Sequence, residues 1–232
     1  MRRFTIVLLA VVVAAAIFMP APPAQADIIS FNGFQTRGFK VKGTLDHHQV
    51  GAFQTGDFDI TWNEKDMLSA YCMSMLKVGV GGQYLVSSLG DLAFDSKIWR
   101  AAWIMDNYSP GLGFSSDHYS DRIAATAVQS ALWTLSTPYT THPFTLTKVY
   151  AHDRDRKLTM ELYANLLSES SQVDFNTYTF KHQFYFGKSL QNRQNLLFAG
   201  GGGGSTVPEP GTMLLFGSAL GMGVWFRRRK KA

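Results

Sequence analysis

A cation-flanked apolar segment lies at each end of the chain. This pair most constrains the fold, because it leaves residues 27–199 for a globular domain. At the N-terminus, two arginines precede an apolar run over residues 4–19, and an Ala-x-Ala site ends at Ala26. A short basic region, an apolar run and such a site are typical of a secretory signal peptide. We therefore predict a signal peptide over residues 1–26, with cleavage between Ala26 and Asp27.

The C-terminal segment has three parts in a fixed order. A proline-rich motif comes first, made of Val207, Pro208, Glu209, Pro210 and Gly211. An apolar stretch follows over residues 212–226, and it is shorter than the roughly 20 residues of a comfortable membrane-spanning helix. Five cations close the chain: Arg227, Arg228, Arg229, Lys230 and Lys231. Because cations flanking a membrane helix stay on the cytoplasmic side, we predict a short transmembrane helix with a cytoplasmic basic end, suited to membrane transit.

Residues 207–232 resemble the PEP-CTERM sorting signal of Gram-negative bacteria. The resemblance implies that a membrane-embedded protease, an exosortase, cuts the tail near its Pro-Glu-Pro sequence. It also implies the secretion translocon as a partner and the cell surface or an exopolysaccharide matrix as the destination. Residues 200–206 are glycine and serine with one threonine, and they form a flexible linker between domain and tail.

The basic net charge of +5 belongs to the two ends of the chain. Residues 27–206 carry 15 Lys and Arg against 16 Asp and Glu, which leaves a net charge of −1. Proteins that bind nucleic acid need a basic footprint to neutralise phosphates. We therefore expect no nucleic-acid partner.

Residues 27–199 combine strand and helix patterns. Alternating apolar residues predict strands over residues 28–34, 38–45, 53–62 and 70–78, with strand character again over 172–187 and 194–199. Apolar residues at helical spacing predict helices over 96–108, 120–136 and 153–168. The fold class is α+β: a β-rich, sandwich-like domain with an inserted helical segment.

Cys72 is the only cysteine, so it forms no disulfide within the chain. Four roles compete for Cys72: a buried small hydrophobic residue, an intermolecular disulfide partner, a catalytic nucleophile, or one end of another covalent bond. A nucleophile needs a base, and none of the six histidines lies in a known cysteine-hydrolase motif. We therefore predict no enzyme activity and no cofactor. The Asp46-His47-His48 run predicts a polar turn and no metal site.

The fourth possibility depends on Gln129, a polar amide beside the apolar stripe of the second predicted helix. Tyr71-Cys72-Met73, followed by Val128-Gln129-Ser130-Ala131-Leu132-Trp133, resembles the Cys–Gln thioester domains of bacterial surface adhesins. Ala127 departs from that pattern, which often has a threonine there. The resemblance implies a thioester between Cys72 and Gln129 in an apolar pocket of Tyr71, Met73, Val128, Leu132 and Trp133.

A thioester is an acyl donor, so an amine or hydroxyl on a surface or matrix ligand would take over the acyl group of Gln129. His118, His142 and His152 are candidates to deprotonate that nucleophile. The leading hypothesis is an exported protein that adheres covalently through the thioester. Two alternatives stay open. One is a non-covalent structural component of an exopolysaccharide or biofilm matrix with a free, buried Cys72, and the other is a thioester that only stabilises the fold.

Overall fold

The computed structural model describes residues 26–75, 79–136 and 143–200. Eight strands and three α-helices lie in these residues. The strands are β1 (Asp27–Leu45), β2 (His48–Trp62), β3 (Lys65–Asp66), β4 (Ser69–Cys72), β5 (Gly82–Ser88), β6 (Thr145–Val149), β7 (Gln183–Ser189) and β8 (Leu196–Gly200). The helices are α1 (Ser96–Tyr108), α2 (Asp121–Ser136) and α3 (Asp153–Ser170). The α+β class with a helical segment between strands is confirmed.

β1 and β2 form a long antiparallel hairpin joined by Asp46 and His47. Both turn residues have positive φ angles, 48° and 65°. A two-residue turn of this kind matches the right-handed twist of the flanking strands, and it tolerates aspartate better than most residues. The predicted polar turn is therefore the tip of this hairpin. The two strands predicted over 28–34 and 38–45 are one strand with several register shifts along its pairing with β2.

The sheet closes on itself. Its strand order is β3-β2-β4-β8-β7-β5-β1-β6, and β1 also pairs with β2. A closed ring is therefore formed by β1, β2, β4, β8, β7 and β5. The domain that was expected to be sandwich-like is built on this one continuous sheet. Each ring strand except β7 supplies buried residues to a common apolar cluster, which we call the ring cluster: Ile29, Phe58, Ile60, Ala70, Cys72, Tyr84, Leu196 and Phe198.

α2 lies at the centre of the molecule. It packs against β1, β2 and β4 on one side and against α1 and α3 on the others. All but one of the residues from Ile123 to Leu135 are buried, as expected for a helix covered on every face. Helix and sheet approach closely at Gly38, where a side chain would collide with the hydroxyl groups of Thr55 and Thr126. This central position brings the polar residues of α2 against the sheet.

The structure shortens two of the predicted strands. The predicted strand 70–78 ends at Cys72, since residues 73–75 form no strand and 76–78 lie outside the described residues. The expected strand over 172–187 begins only at Gln183, because the side chain and carbonyl of Asp174 accept hydrogen bonds from the following turn. β3, β5 and β6 were not predicted, since each is short and has at most a few apolar residues.

Candidate functional site

Gln129 pairs with the main chain of Cys72 through both ends of its side-chain amide. The Cys72 N–H donates to Gln129 Oε1 over 3.2 Å, and Gln129 Nε2 donates to the Cys72 carbonyl over 2.8 Å. The sheet leaves this edge of β4 open, because β2 pairs with β4 only at Phe58 and Ala70. The amide thus occupies the place of a neighbouring strand. Gln129 on α2 and Cys72 on β4 are therefore in contact although they lie 57 positions apart in the sequence.

Both residues of this pair are sealed from solvent. Cys72 is 1% exposed and Gln129 is 0% exposed. Burial raises the pKa of the Cys72 thiol well above its usual range, so the thiol is neutral at ordinary pH. The Cys72 side chain belongs to the ring cluster, whereas the amide reaches its main chain from the helical side of the sheet.

The five predicted pocket residues are all buried, and they form part of the larger core between sheet and helices. They are Tyr71, Met73, Val128, Leu132 and Trp133. Tyr71 and Met73 flank Cys72 on β4 and its continuation, and alternation along the strand turns them away from the ring cluster. The predicted pocket therefore excludes water on the side of the amide, and the ring cluster excludes it on the side of the thiol.

A buried polar cluster that the sequence analysis did not identify lies beside Tyr71. Asp57 Oδ1 accepts hydrogen bonds from Ser69 Oγ (2.8 Å) and the Ala70 N–H (3.1 Å), and Asp57 Oδ2 accepts from Ser109 Oγ (2.9 Å) and the Gly111 N–H (3.1 Å). Burial raises the pKa of Asp57 to about 6, although these hydrogen bonds oppose the rise. No local pattern marks Asp57 as buried, because Thr55 and Asp59, two positions away on either side along the strand, are also polar.

Two of the three candidate histidines lie in the described residues. His118 is exposed, with its Nε2 3.9 Å from Glu161 Oε1, and His152 is the N-cap residue of α3. His142 lies outside the described residues. Another histidine, His182, lies closer to an acidic group than His118 does, because its Nδ1 is 2.8 Å from the buried carboxylate of Asp106. Within the described residues, no group of three or more His, Cys, Asp or Glu side chains is placed to hold a metal ion.

Comparison with protein families gives one match, and it lies at the C-terminus. Residues 206–230 match the family described as the PEP-CTERM protein-sorting motif. The chain carries a PEP-CTERM tail. Such a tail implies export, transit through the membrane and delivery to the surface, with processing by an exosortase, a membrane protein. Residues 1–25 of the predicted signal peptide and the predicted helix of the PEP-CTERM tail lie outside the described residues. No helix within the described residues is long and apolar enough to cross a membrane.

Similar solved structures include domains of bacterial surface proteins. The N-terminal thioester domain of the fibronectin-binding protein SfbI from Streptococcus pyogenes has a TM-score of 0.43 at 13% identity, covering 78% of this chain and 96% of that domain. The N-terminal domain of the Streptococcus pyogenes pilus tip adhesin Cpa has a TM-score of 0.44 at 14% identity, covering 73% and 98%. An N-terminal thioester domain of a surface protein from Clostridium perfringens has a TM-score of 0.40 at 13% identity, covering 68% and 97%. No curated protein matches the chain in sequence.

Proposed function

We propose that this PEP-CTERM protein forms a thioester between Cys72 and Gln129 and uses it for covalent attachment to a surface or matrix ligand. The observation that carries the proposal is the paired hydrogen bonding of the Gln129 amide to the main chain of Cys72. It holds the amide beside the one residue of the chain that bears a thiol. The surrounding burial would protect the acyl donor from hydrolysis.

The bond-forming step balances without a co-reactant. The Cys72 sulfur attacks the amide carbon of Gln129, the carbon–sulfur bond forms as the carbon–nitrogen bond breaks, and the thiol proton leaves with the nitrogen as ammonia. For this step the amide turns from the main chain of Cys72 toward its thiol. An incoming amine or hydroxyl later takes the acyl group, which leaves an amide or ester at residue 129 and a free thiol at Cys72.

A second function, a purely structural crosslink, is favoured by the near-zero exposure of both residues. A bond between them would close a loop of 56 intervening residues. If the chain-entropy argument for disulfides applies, it would stabilise the fold by about 4 kcal/mol. The adhesive function additionally requires a nucleophile to reach the amide carbon.

Intact mass tests for the bond. We expect the purified protein to be lighter than its calculated mass by one ammonia and to lack a titratable thiol. Cys72→Ala and Gln129→Ala should each restore the mass difference to zero. Each should also lower the melting temperature, and the double variant should lose little more, because both residues act through one bond. A full calculated mass with one titratable thiol contradicts the thioester in either use.

Reaction with methylamine separates the two uses. For the adhesive function, the folded protein should incorporate one methylamine at Gln129 and release one thiol, faster at mildly alkaline pH where more amine is unprotonated. Cys72→Ala is the control and should incorporate none. If the ammonia loss is present but methylamine reacts only after denaturation, the bond is a structural crosslink and the adhesive function is wrong.

A further inference from the structure

Two adjoining grooves lie between β6 and the first turns of α3. Their volumes are about 520 and 500 Å³, and both have Lys148, Val149 and Arg156 in their walls. Lys157 lines one groove, and Arg122 and Tyr150 line the other. We call this combined surface the cationic groove: Arg122, Lys148, Tyr150, Arg156 and Lys157. All five residues are exposed.

Three cations at this surface lie against aromatic rings and not against carboxylates. The Arg122 guanidinium lies 4.2 Å from the centre of the Phe39 ring. The ammonium groups of Lys148 and Lys42 lie 5.0 and 5.9 Å from the centre of the Tyr150 ring. A ring attracts a cation without neutralising it. Within the described residues none of these three cations forms an ion pair, so each keeps its full charge for an external anion.

Lys42 and Lys148 also face each other across the β1–β6 pair. Like charges directly opposite on neighbouring strands destabilise a sheet. The acidic residues nearby offset only part of the charge. Arg156 pairs with Asp153 at 2.8 Å, and Asp155 lies in the groove wall. An excess of cations therefore accumulates on one face of a domain whose overall net charge is −1.

We infer that the cationic groove binds a carboxylate-bearing polysaccharide without a covalent bond. Separate cations along an open groove match carboxylates spaced along a sugar chain, and the 41% exposed Tyr150 ring offers a surface for sugar rings. Nucleic acid fits less well, because its continuous phosphate charge requires a more basic domain than this one.

The groove lies close to the proposed crosslink but does not depend on it. The Phe39 N–H donates to Thr126 Oγ1 over 2.8 Å, and Thr126 lies one turn beyond Arg122 on α2. Gln129 lies seven residues beyond Arg122, which is about 10 Å along the helix axis. A bound polymer would therefore lie about two helical turns from the buried Gln129, and its binding would use side chains outside the Cys72–Gln129 pair.

Calorimetry of the full chain in mild detergent, with polygalacturonate as the probe, tests this inference. We expect saturable binding that weakens with added salt. The double variant Arg122→Gln with Lys148→Gln should raise the dissociation constant about tenfold. Lys65→Gln with Lys188→Gln makes the same charge change at exposed positions outside the groove, and it should alter binding less than about twofold. Lys148→Arg should retain binding, which distinguishes lost charge from a lost fold.

The inference would be overturned by no binding of polygalacturonate, by equal binding of neutral dextran, or by equal losses in the groove and control double variants. Tighter binding of single-stranded DNA at matched charge would overturn it in favour of nucleic acid. Repeating the titration with Cys72→Ala keeps this inference separate from the thioester. Unchanged binding there shows that the groove acts alone, even if the crosslink proves wrong.

Discussion

Asp57 joins three parts of the chain through one buried carboxylate. Its hydrogen-bond donors come from β4 and from the segment that follows α1, while Asp57 itself lies on β2. The hydroxyl oxygens of Ser69 and Ser109 also lie 2.9 Å apart, so the cluster is continuous. All four donors to the carboxylate are neutral groups. Desolvation is therefore balanced only by hydrogen bonds, and it remains the larger effect on the pKa.

The raised pKa of Asp57 makes stability depend on pH with a defined sign. In the unfolded chain the carboxyl titrates near 3.8, and in the folded chain near 6, so the folded state binds the proton more tightly. This contribution is fully present below pH 3.8 and is lost as the pH rises through 6. We expect the free energy of unfolding to fall by at most about 3 kcal/mol across this interval. Urea unfolding between pH 4 and 7.5 measures it.

Asp57→Asn should flatten this pH dependence, because the amide does not titrate. Its absolute stability should also fall, since the amide nitrogen cannot accept the hydrogen bonds that one carboxylate oxygen accepts. Asp59→Asn is the matched control, because Asp59 is an exposed carboxylate two residues further along β2. If the Asp57 and Asp59 variants keep the same pH profile as the unmodified protein, Asp57 is not the titrating group.

At the level of elements, the helices follow from the sequence better than the strands do. The bounds of α1 agree with the prediction, and α2 and α3 differ from it by one and two residues, because caps and apolar spacing are local signals. Ser120 Oγ accepts from the Ile123 N–H over 3.4 Å, which is an N-cap interaction at the start of α2. The strands depend on partners far along the chain. The short strands β5 and β6 become strands only through their pairing with β1 and β7.

The candidate site was likewise predicted only in part from the sequence. Cys72 and Gln129 were predicted as a pair from a family resemblance carried by their flanking residues. The Gln129 amide is hydrogen-bonded to the main chain of Cys72, and the thioester between the two side chains stays a prediction. The Asp57 cluster and the cationic groove were not predicted. Each is assembled from several elements by tertiary contacts, and no single segment carries a recognisable pattern.

The segment over residues 171–182 has no regular structure, and one buried side chain holds its end. The Asp106 carboxylate on α1 accepts hydrogen bonds from Tyr178 Oη (2.8 Å), the Lys181 N–H (2.9 Å) and the His182 N–H (3.2 Å). It also lies 2.8 Å from His182 Nδ1. These hydrogen bonds take the place of the strand-to-strand hydrogen bonds that the predicted strand over 172–187 would have made here. They fix the position of the chain where β7 begins to pair with β8.

Asp106→Ala should therefore loosen this segment and destabilise the protein by about 3 kcal/mol, because three partly buried hydrogen bonds lose their acceptor at once. Hydrogen exchange followed by mass spectrometry should show lost protection in residues 171–182 before the rest of the domain. Asp117→Ala removes an exposed carboxylate and serves as the control. Uniform loss of protection across the whole domain would contradict a local anchoring role for Asp106.

At the level of the whole molecule, the described domain begins and ends within its sheet. Asp27, the residue after the predicted signal-peptide cleavage site, is the first residue of β1. Its Oδ1 accepts from Trp62 Nε1 over 2.9 Å and from Asn63 Nδ2 over 2.8 Å. At the other end, Gly200 was predicted as the first residue of the linker, but it is the last residue of β8 and pairs with Gln183. The sorting motif over residues 206–230 therefore lies outside the described domain, and the residues of the proposed thioester lie inside it.

This separation makes a test of the tail possible in the folded protein. In cells that contain an exosortase, Pro208→Ala with Pro210→Ala should keep the chain in the membrane fraction, because the protease loses its recognition sequence. Mass spectrometry of that fraction should recover the peptide that carries residues 227–231. The unmodified protein should reach the extracellular fraction without this peptide and should begin at Asp27.

Two variants serve as controls for the tail. Ser205→Ala lies just outside the matched residues 206–230 and should be released normally. Cys72→Ala should also be released normally, because the thioester plays no part in sorting. Extracellular chains that still carry residues 227–231 would contradict processing of the tail. Retention of Cys72→Ala in the membrane would show instead that release depends on the state of the domain, since the tail of that variant is intact.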